Sequence, residues 1–334
     1  MMITGFGCQQ KIFQPVPQPL DDAAYKSEFS QIISNSEMEK VAGSVKKLFC
    51  IVEYEVYQFD EKDQLTREKL GELNLRRSNA QKTTFNETVY GTATILQNNR
   101  NGILLLTCAH IVDNPDTLIS YFQTAASSSI IESVAVKKSQ MNFIRDNENN
   151  NLLRIFAFDS KLDLAFLGSD KVTGIEDMPV FEIGIGNGNI LQWGTPVYVM
   201  GFPGGHQMLT NAAVGNPHST PTGDFIIDAS FNPGGSGSLI MAVNQTSRKL
   251  EFVGIAKSAS ATFINTLKPE KESHQEIYNP NLPYDGYLYV KRVRNINYGI
   301  TFAISVNTIR DFYIQHRKSL NREGFGLDEF FGLK

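Results

Sequence analysis

Three side chains, distant from one another in the chain, have the types and surroundings that nucleophilic attack by a hydroxyl requires. Ser236 stands in FNPGGSGSLI, Phe231 to Ile240, with Gly234 and Gly235 before it and Gly237 after it. A serine hydroxyl is a poor nucleophile at neutral pH. It needs a base within hydrogen-bond reach, a group that orients the base, and N–H donors where oxyanion charge develops. Glycines allow the torsions of such a donor loop and keep side chains away from a substrate. The same residues also read as a plain glycine-serine turn between DFIIDAS and SLIMAV.

His110 is the candidate base. It closes the apolar run in LLLTCAHIV, where a strand ending on small residues can present an imidazole at a cleft rim. The plainer reading is a buried histidine satisfied by a carbonyl. His206, His218, His274 and His316 lie in polar or glycine-rich surroundings and are expected at the surface. The orienting carboxylate should be partly shielded from water, so that it holds one imidazole tautomer. Asp163 in FDSKLDLAFLG directly precedes an apolar run and fits best; Asp159 is second, and Asp170, beyond the run, reads as a turn residue. Each signal is weak alone, and the order His110, Asp163, Ser236 gives them joint weight.

The elements that must position these groups are mostly short strands. From residue 90 onward YGTATIL, GILLLTC, LLRIFAF, LAFLG, PVYVMGF, DFIIDAS, SLIMAV, EFVGIA and YGITFAI follow one another, separated by Gly, Asn, Asp and Pro clusters. Many short strands without regular strand–helix alternation predict an antiparallel all-β barrel or sandwich and disfavour a parallel α/β sheet. Upstream, LFCIVEYEVY alternates, with Val52, Tyr54 and Val56 on one side and Glu53 and Glu55 on the other, as a strand with one wet face does. Residues 21–46 read as helical: Asp21 and Asp22 can cap the start, and Tyr25, Phe29, Ile32 and Ile33 recur at helical spacing. Residues 58–89 are expected to be a long polar loop, and 113–150 and 263–298 surface excursions. A short helix from Asn307, capped by Asn307 or Ser305, would carry Ile309, Phe312 and Tyr313 on its apolar side.

Composition narrows the classes. The 334 residues are 41% hydrophobic and 20% charged, with a net charge of −4. These are ordinary globular values, and without a Lys/Arg block nucleic acid is not expected as a partner. Cys8, Cys50 and Cys108 are too few and too widely spaced for a disulfide framework or a zinc site, and no histidines sit at HExxH spacing. No cofactor or metal is expected. No run reaches the ~18 apolar residues that span a bilayer. The start, MMITGFGCQQ, is compatible with a disordered segment bearing a free thiol, or with the end of a bacterial lipoprotein signal that would place a lipid anchor at Cys8.

TCAHIV, DSKLDLAFL, VYVMGFPGG, DASFNPGGSGSLI, FVGIAKSA and GITFAISVNTI together resemble successive blocks of the trypsin-like serine peptidases, and most nearly the bacterial HtrA/Deg branch. The resemblance covers about residues 37 to 314. It implies two six-stranded antiparallel β-barrels of chymotrypsin type, with the site between them. His110 and Asp163 would sit in the first barrel and Ser236 in the second. It implies His110 as general base, Asp163 as orienting carboxylate, Ser236 as nucleophile, and the backbone N–H groups of Gly234 and Ser236 as oxyanion hole. A polypeptide would be the substrate.

The departures from the family pattern also inform. Ser238-Leu239 replaces the usual Gly-Pro, and Gly235 stands where digestive relatives carry an aspartate that pairs with a new N-terminus. Ser230 resembles the floor of the substrate pocket and carries no charge, which points to small or apolar side chains. The implied division is a linker over 1–20, a helical extension over 21–46, a peptidase domain over 47–315 and a tail over 316–334. That tail leaves no room for a PDZ domain, and the branch suggests the cell envelope or periplasm. Two other readings compete: a catalytically silent peptidase-fold binding or scaffold protein, and an α/β-hydrolase. The second would take its histidine after the serine, at His316, but its G-x-S-x-G pattern fails at Ser238.

Overall fold

A computed structural model describes residues 34–122, 129–146, 149–169, 178–220, 223–269 and 288–333. The expected linker over 1–20, Cys8, the capping aspartates and the apolar residues of 25–33 lie outside the described residues, as do Asp170 and His274. Helix α1 (Asn35–Ser44) starts from a capping box in which Ser34 and Glu37 satisfy each other's backbone N–H groups.

The first sheet holds β1 (Val45–Gln58), β2 (Gln81–Asn99), β3 (Gly102–Thr107), β4 (Thr117–Tyr121), β5 (Ile131–Asp146), β6 (Asn149–Asp159) and β7 (Leu164–Ser169). Its hydrogen-bonded order runs β1-β2-β3-β7-β6-β5, and β5 pairs back onto β1, which closes a six-stranded antiparallel barrel. β4 adds to the outer part of β5 beyond the ring. The second sheet holds β8 (Gly184–Ile185), β9 (Pro196–Gly201), β10 (Met208–Asn216), β11 (Phe225–Ile227), β12 (Leu239–Val243), β13 (Leu250–Pro269) and β14 (Leu288–Ser305). The order β12-β9-β10-β11-β14-β13 closes through a β12–β13 pairing into a second six-stranded antiparallel barrel, with β8 attached in parallel to β13. Two closed barrels are the expected fold, and closure removes the edges that would invite aggregation.

Two stretches differ from expectation. Residues 58–89 are not one loop: α2 (Arg67–Glu72) and short 3₁₀ turns pack Leu65 on Ile131 and Val134, and β2 already begins at Gln81. Residues 113–150 are not a surface excursion, because β5 within them is a wall of the first barrel, paired along its length with β1. The 263–298 excursion is a two-stranded ribbon in its described part, with β13 and β14 paired out to Pro269 and Leu288. Among the described residues no helix is long and apolar enough to cross a membrane.

Helix α3 (Val306–Arg322) is capped by Ser305, whose hydroxyl accepts from the Asn307 N–H at 3.2 Å. Val306, Ile309, Phe312, Tyr313 and Leu320 face inward. Phe312 stacks on Phe166 of β7 at 5.1 Å, which fixes the helix to the first barrel although its cap belongs to the second. The following segment returns over the helix: the Tyr313 hydroxyl donates to Asp328 at 2.9 Å, and Phe331 stacks on the Tyr313 ring at 5.3 Å. Phe312→Ala should therefore cost about 3–5 kcal/mol, the usual range for emptying a buried aromatic site. The check is a lower denaturant midpoint at unchanged m-value.

Candidate active site

Antiparallel pairing of β3 with β7 brings Thr107 opposite Ala165. The turn after β3 and the turn before β7 therefore meet at one end of the first barrel. His110 lies three residues beyond Thr107, in a single 3₁₀ turn over Ala109–Ile111, and Asp163 lies two residues before Ala165. Asp163 holds that turn from two sides. Its backbone carbonyl accepts the Ala109 N–H at 3.1 Å, and its Oδ1 accepts the His110 N–H at 2.9 Å. Its φ of +59° is a left-handed value that aspartate and asparagine tolerate better than most residues.

The carboxylate also meets the imidazole. His110 Nδ1 lies 3.0 Å from Asp163 Oδ1 and 2.9 Å from Oδ2. An ionised carboxylate only accepts hydrogen bonds, so Nδ1 carries the hydrogen and Nε2 is the acceptor. Nε2 faces the Ser236 hydroxyl at 2.8 Å. Asp163 is largely shielded, with 10% of its side chain exposed, whereas the His110 ring is 44% exposed at the cleft. A hydroxyl that donates to such a ring can pass its proton to Nε2, and the imidazolium that results is stabilised by the carboxylate behind it.

Ser236 comes from the loop between β11 and β12. Pro233 and Gly234 are the central residues of a tight turn closed by the Gly235 N–H on Asn232 O at 2.9 Å, with Gly234 at φ +92°. Gly237, at φ +83°, passes so close to the first barrel that a Cβ there would lie 2.0 Å from the Thr92 carbonyl oxygen. Glycine is thus required at 237 by both torsion and space. Gly237 N donates to Ala256 O, and Ala256 N donates to Ser238 O, which ties the loop to β13. Among the described residues no protein acceptor takes the N–H of Gly234 or of Ser236. Both residues border a cleft of about 510 Å³ together with His110, Tyr90, Phe231 and Ser258. Ser230 lines a separate small cavity of about 20 Å³ with Ala229, Phe231, Ser238 and Thr301.

The residues singled out by sequence separate clearly. Asp159 spends its Oδ1 on the Lys161 and Leu162 N–H groups, as a turn residue does. His206 and His218 are exposed. His316 packs edge-on against Phe312 on α3, and the ring that meets Ser236 is His110, so the hydrolase arrangement is not the one adopted. Cys108, His110 and Asp163 offer three ligand atoms within 4.8 Å of one another. A metal would have to displace the His110–Asp163 hydrogen bonds and ionise Cys108, whose thiol burial holds protonated, well above its usual pKa. Sequence reading passed over Thr92, which touches the serine loop at two carbonyls. Its surroundings, YGTATIL, announce only a strand.

Residues 91–255 match the family model of the trypsin-like peptidase domain. No curated protein matches the sequence. Among solved structures the chain is similar to a serine endoprotease from Yersinia pestis, with 16% identity over 84% of this chain and a TM-score of 0.42. That match spans 65% of the Yersinia chain, just under two thirds of its length. The chain is also similar to the Rv3671c protease from M. tuberculosis in its active form, with 12% identity over 94% of this chain and 93% of that one, and a TM-score of 0.42.

Proposed function

Residues 91–255 being a trypsin-like peptidase domain, we propose that the chain is a serine endopeptidase that works through an acyl-enzyme. The observation that carries the reading is the unbroken contact from Asp163 through His110 to Ser236, at 2.9 Å and 2.8 Å. Ser236 Oγ attacks the scissile carbonyl carbon while its proton moves to His110 Nε2, and the carbonyl π pair becomes an oxyanion. The N–H groups of Gly234 and Ser236 receive that charge. The tetrahedral adduct collapses, the C–N bond breaks, and Nε2 returns the proton to the departing amine. Water then attacks the ester with the same base, releasing the acid and restoring the hydroxyl. Asp163 stays ionised and holds the ring with its Nδ1–H inward.

Ser230 borders the side-chain pocket in this reading, and the cavity of about 20 Å³ beside it has room for about one water. Small side chains fit that space; Phe, Lys and Arg do not, and a cation would find no carboxylate among the lining residues. Incubation of the purified chain with a peptide library, followed by mass spectrometry of the cut sites, tests both claims. Cleavage after Ala or Ser is expected, with kcat/KM at least about tenfold above that for Phe or Lys, in keeping with what a few methylenes decide in a closed pocket. Cleavage preferentially after Lys or Arg would overturn the pocket assignment.

A further inference from the structure

We propose that Thr92 is a positioning residue that fixes, from across the barrel interface, the two peptides on either side of the one that carries the Ser236 N–H; the proposal rests on the peptidase reading above. Thr92 belongs to β2 of the first barrel and is fully buried. Its backbone N–H donates to the Ser236 carbonyl at 2.8 Å. Its hydroxyl accepts the Phe202 N–H at 2.9 Å and donates to the Gly234 carbonyl at 2.8 Å. The direction follows from the partners, because an N–H can only donate and a carbonyl can only accept. Thr92's own carbonyl accepts the Thr107 hydroxyl at 2.7 Å, which anchors it within the first barrel.

The two carbonyls that Thr92 holds bracket the serine loop. A planar trans peptide directs its C=O and the following N–H to opposite sides. Fixing Gly234 C=O therefore fixes the Gly235 N–H, which closes the turn on Asn232 O, and fixing Ser236 C=O fixes the Gly237 N–H, so the Gly235–Ser236 peptide with its Ser236 N–H is held between two fixed neighbours. The Pro233–Gly234 peptide is held by a different partner: Pro233 C=O accepts the Gly204 N–H at 2.8 Å, so the Gly234 N–H points away from the Phe202–Gly205 segment. Gly234 alone would not keep that direction, since at φ +92° glycine has other low-energy conformations within reach. The clamp takes the place of a side chain that could stiffen the turn, because a Cβ at Gly234 would lie 2.3 Å from Phe202 O. One hydroxyl thus links the second barrel's Phe202 and Gly234 to the first barrel, the barrel that carries His110.

The experiment compares Thr92→Val, which keeps the shape and removes the hydroxyl, with Thr92→Ser, which keeps it. Kinetics are measured on one small-P1 peptide, at a temperature where circular dichroism shows every variant folded. Inhibition by a peptide aldehyde, which forms a tetrahedral adduct, is measured alongside. Thr92→Val is expected to lower kcat by about 10- to 100-fold with KM within about twofold, somewhat less than the loss of a whole oxyanion donor. The aldehyde inhibition constant should rise in parallel, and Thr92→Ser should return both to within about threefold of the native chain. Hydrogen exchange of the peptide covering 231–240 should be faster in Thr92→Val and native-like in Thr92→Ser. Native kcat in a folded Thr92→Val overturns the proposal, and so does a loss confined to KM or one that Thr92→Ser does not rescue. If the native chain itself neither cleaves peptides nor reacts with the aldehyde, the peptidase reading fails and the oxyanion role with it. Hydrogen exchange then decides separately whether the clamp holds the loop.

Discussion

The Ser236→Ala chain is expected to lose peptide hydrolysis by about 10⁴- to 10⁶-fold, the range seen when a hydroxyl nucleophile is removed from an otherwise intact site. It should also lose all labelling by a fluorophosphonate probe that marks the native chain. The substitution is clean because none of the contacts that shape the loop uses the Ser236 side chain. Ser236 O accepts from Thr92, while Gly235, Gly237 and Ser238 all bond through main-chain atoms. Removing Oγ takes away only the 2.8 Å contact to His110 Nε2, and that ring is open enough for water to replace it. The unfolding midpoint should stay close to that of the native chain. Labelling that persists in Ser236→Ala would place the reactive group elsewhere. A native chain that neither cuts nor labels, yet binds peptides, would be the silent binding protein weighed from the sequence.

Much of the candidate site's geometry could be read before the fold, because each of its three side chains carries a local signature. His110 and Asp163 flank apolar runs that become β3 and β7, and Ser236 sits among glycines whose torsions the loop requires. The alternation of Val52, Tyr54 and Val56 with Glu53 and Glu55 marks β1, and the burial of these residues follows it. What stayed hidden depends on partners far away in the chain. The first part of β2, Gln81 to Thr88, is exposed throughout, so it carries no hydrophobic period and reads as loop; its strand form comes from full-length pairing with β1. β5 is polar in KKSQMN and becomes a barrel wall through β1, about 85 residues earlier. Thr92 is the sharpest case: its hydroxyl partners lie 110 and 142 residues downstream, and nothing beside it in the sequence distinguishes it from the other threonines of a strand.

Asp163→Asn should lower kcat by about 10⁴-fold while leaving KM and the fold nearly unchanged, and the reason lies in how the two carboxylate oxygens divide their work. Oδ1 accepts the His110 backbone N–H at 2.9 Å, and an asparagine carbonyl oxygen can take over that contact. Asparagine also suits the left-handed φ of +59°. The 3₁₀ turn that carries His110 should therefore persist. The amide NH₂ then falls at the place of Oδ2, 2.9 Å from His110 Nδ1. An NH₂ group donates and cannot accept, so it favours Nδ1 as an acceptor over the Nδ1–H that Oδ1, 3.0 Å away and already accepting the His110 N–H, would be left to take alone. The imidazole hydrogen moves to Nε2, the nitrogen that faces Ser236 Oγ, and a ring protonated there cannot take the serine proton. Asp163→Ala would be a poorer test, because it removes the anchor of the His110 N–H and forces a Cβ residue without a polar tip into a left-handed torsion. Nitrogen NMR of the labelled imidazole separates the causes. The hydrogen should be found on Nδ1 in the native chain and on Nε2 in Asp163→Asn, with both proteins melting within a few degrees of each other. A large loss of kcat with the native tautomer retained would mean that Asp163 acts through its charge on the imidazolium rather than through the tautomer it enforces. Full activity in Asp163→Asn would remove it from the machinery altogether.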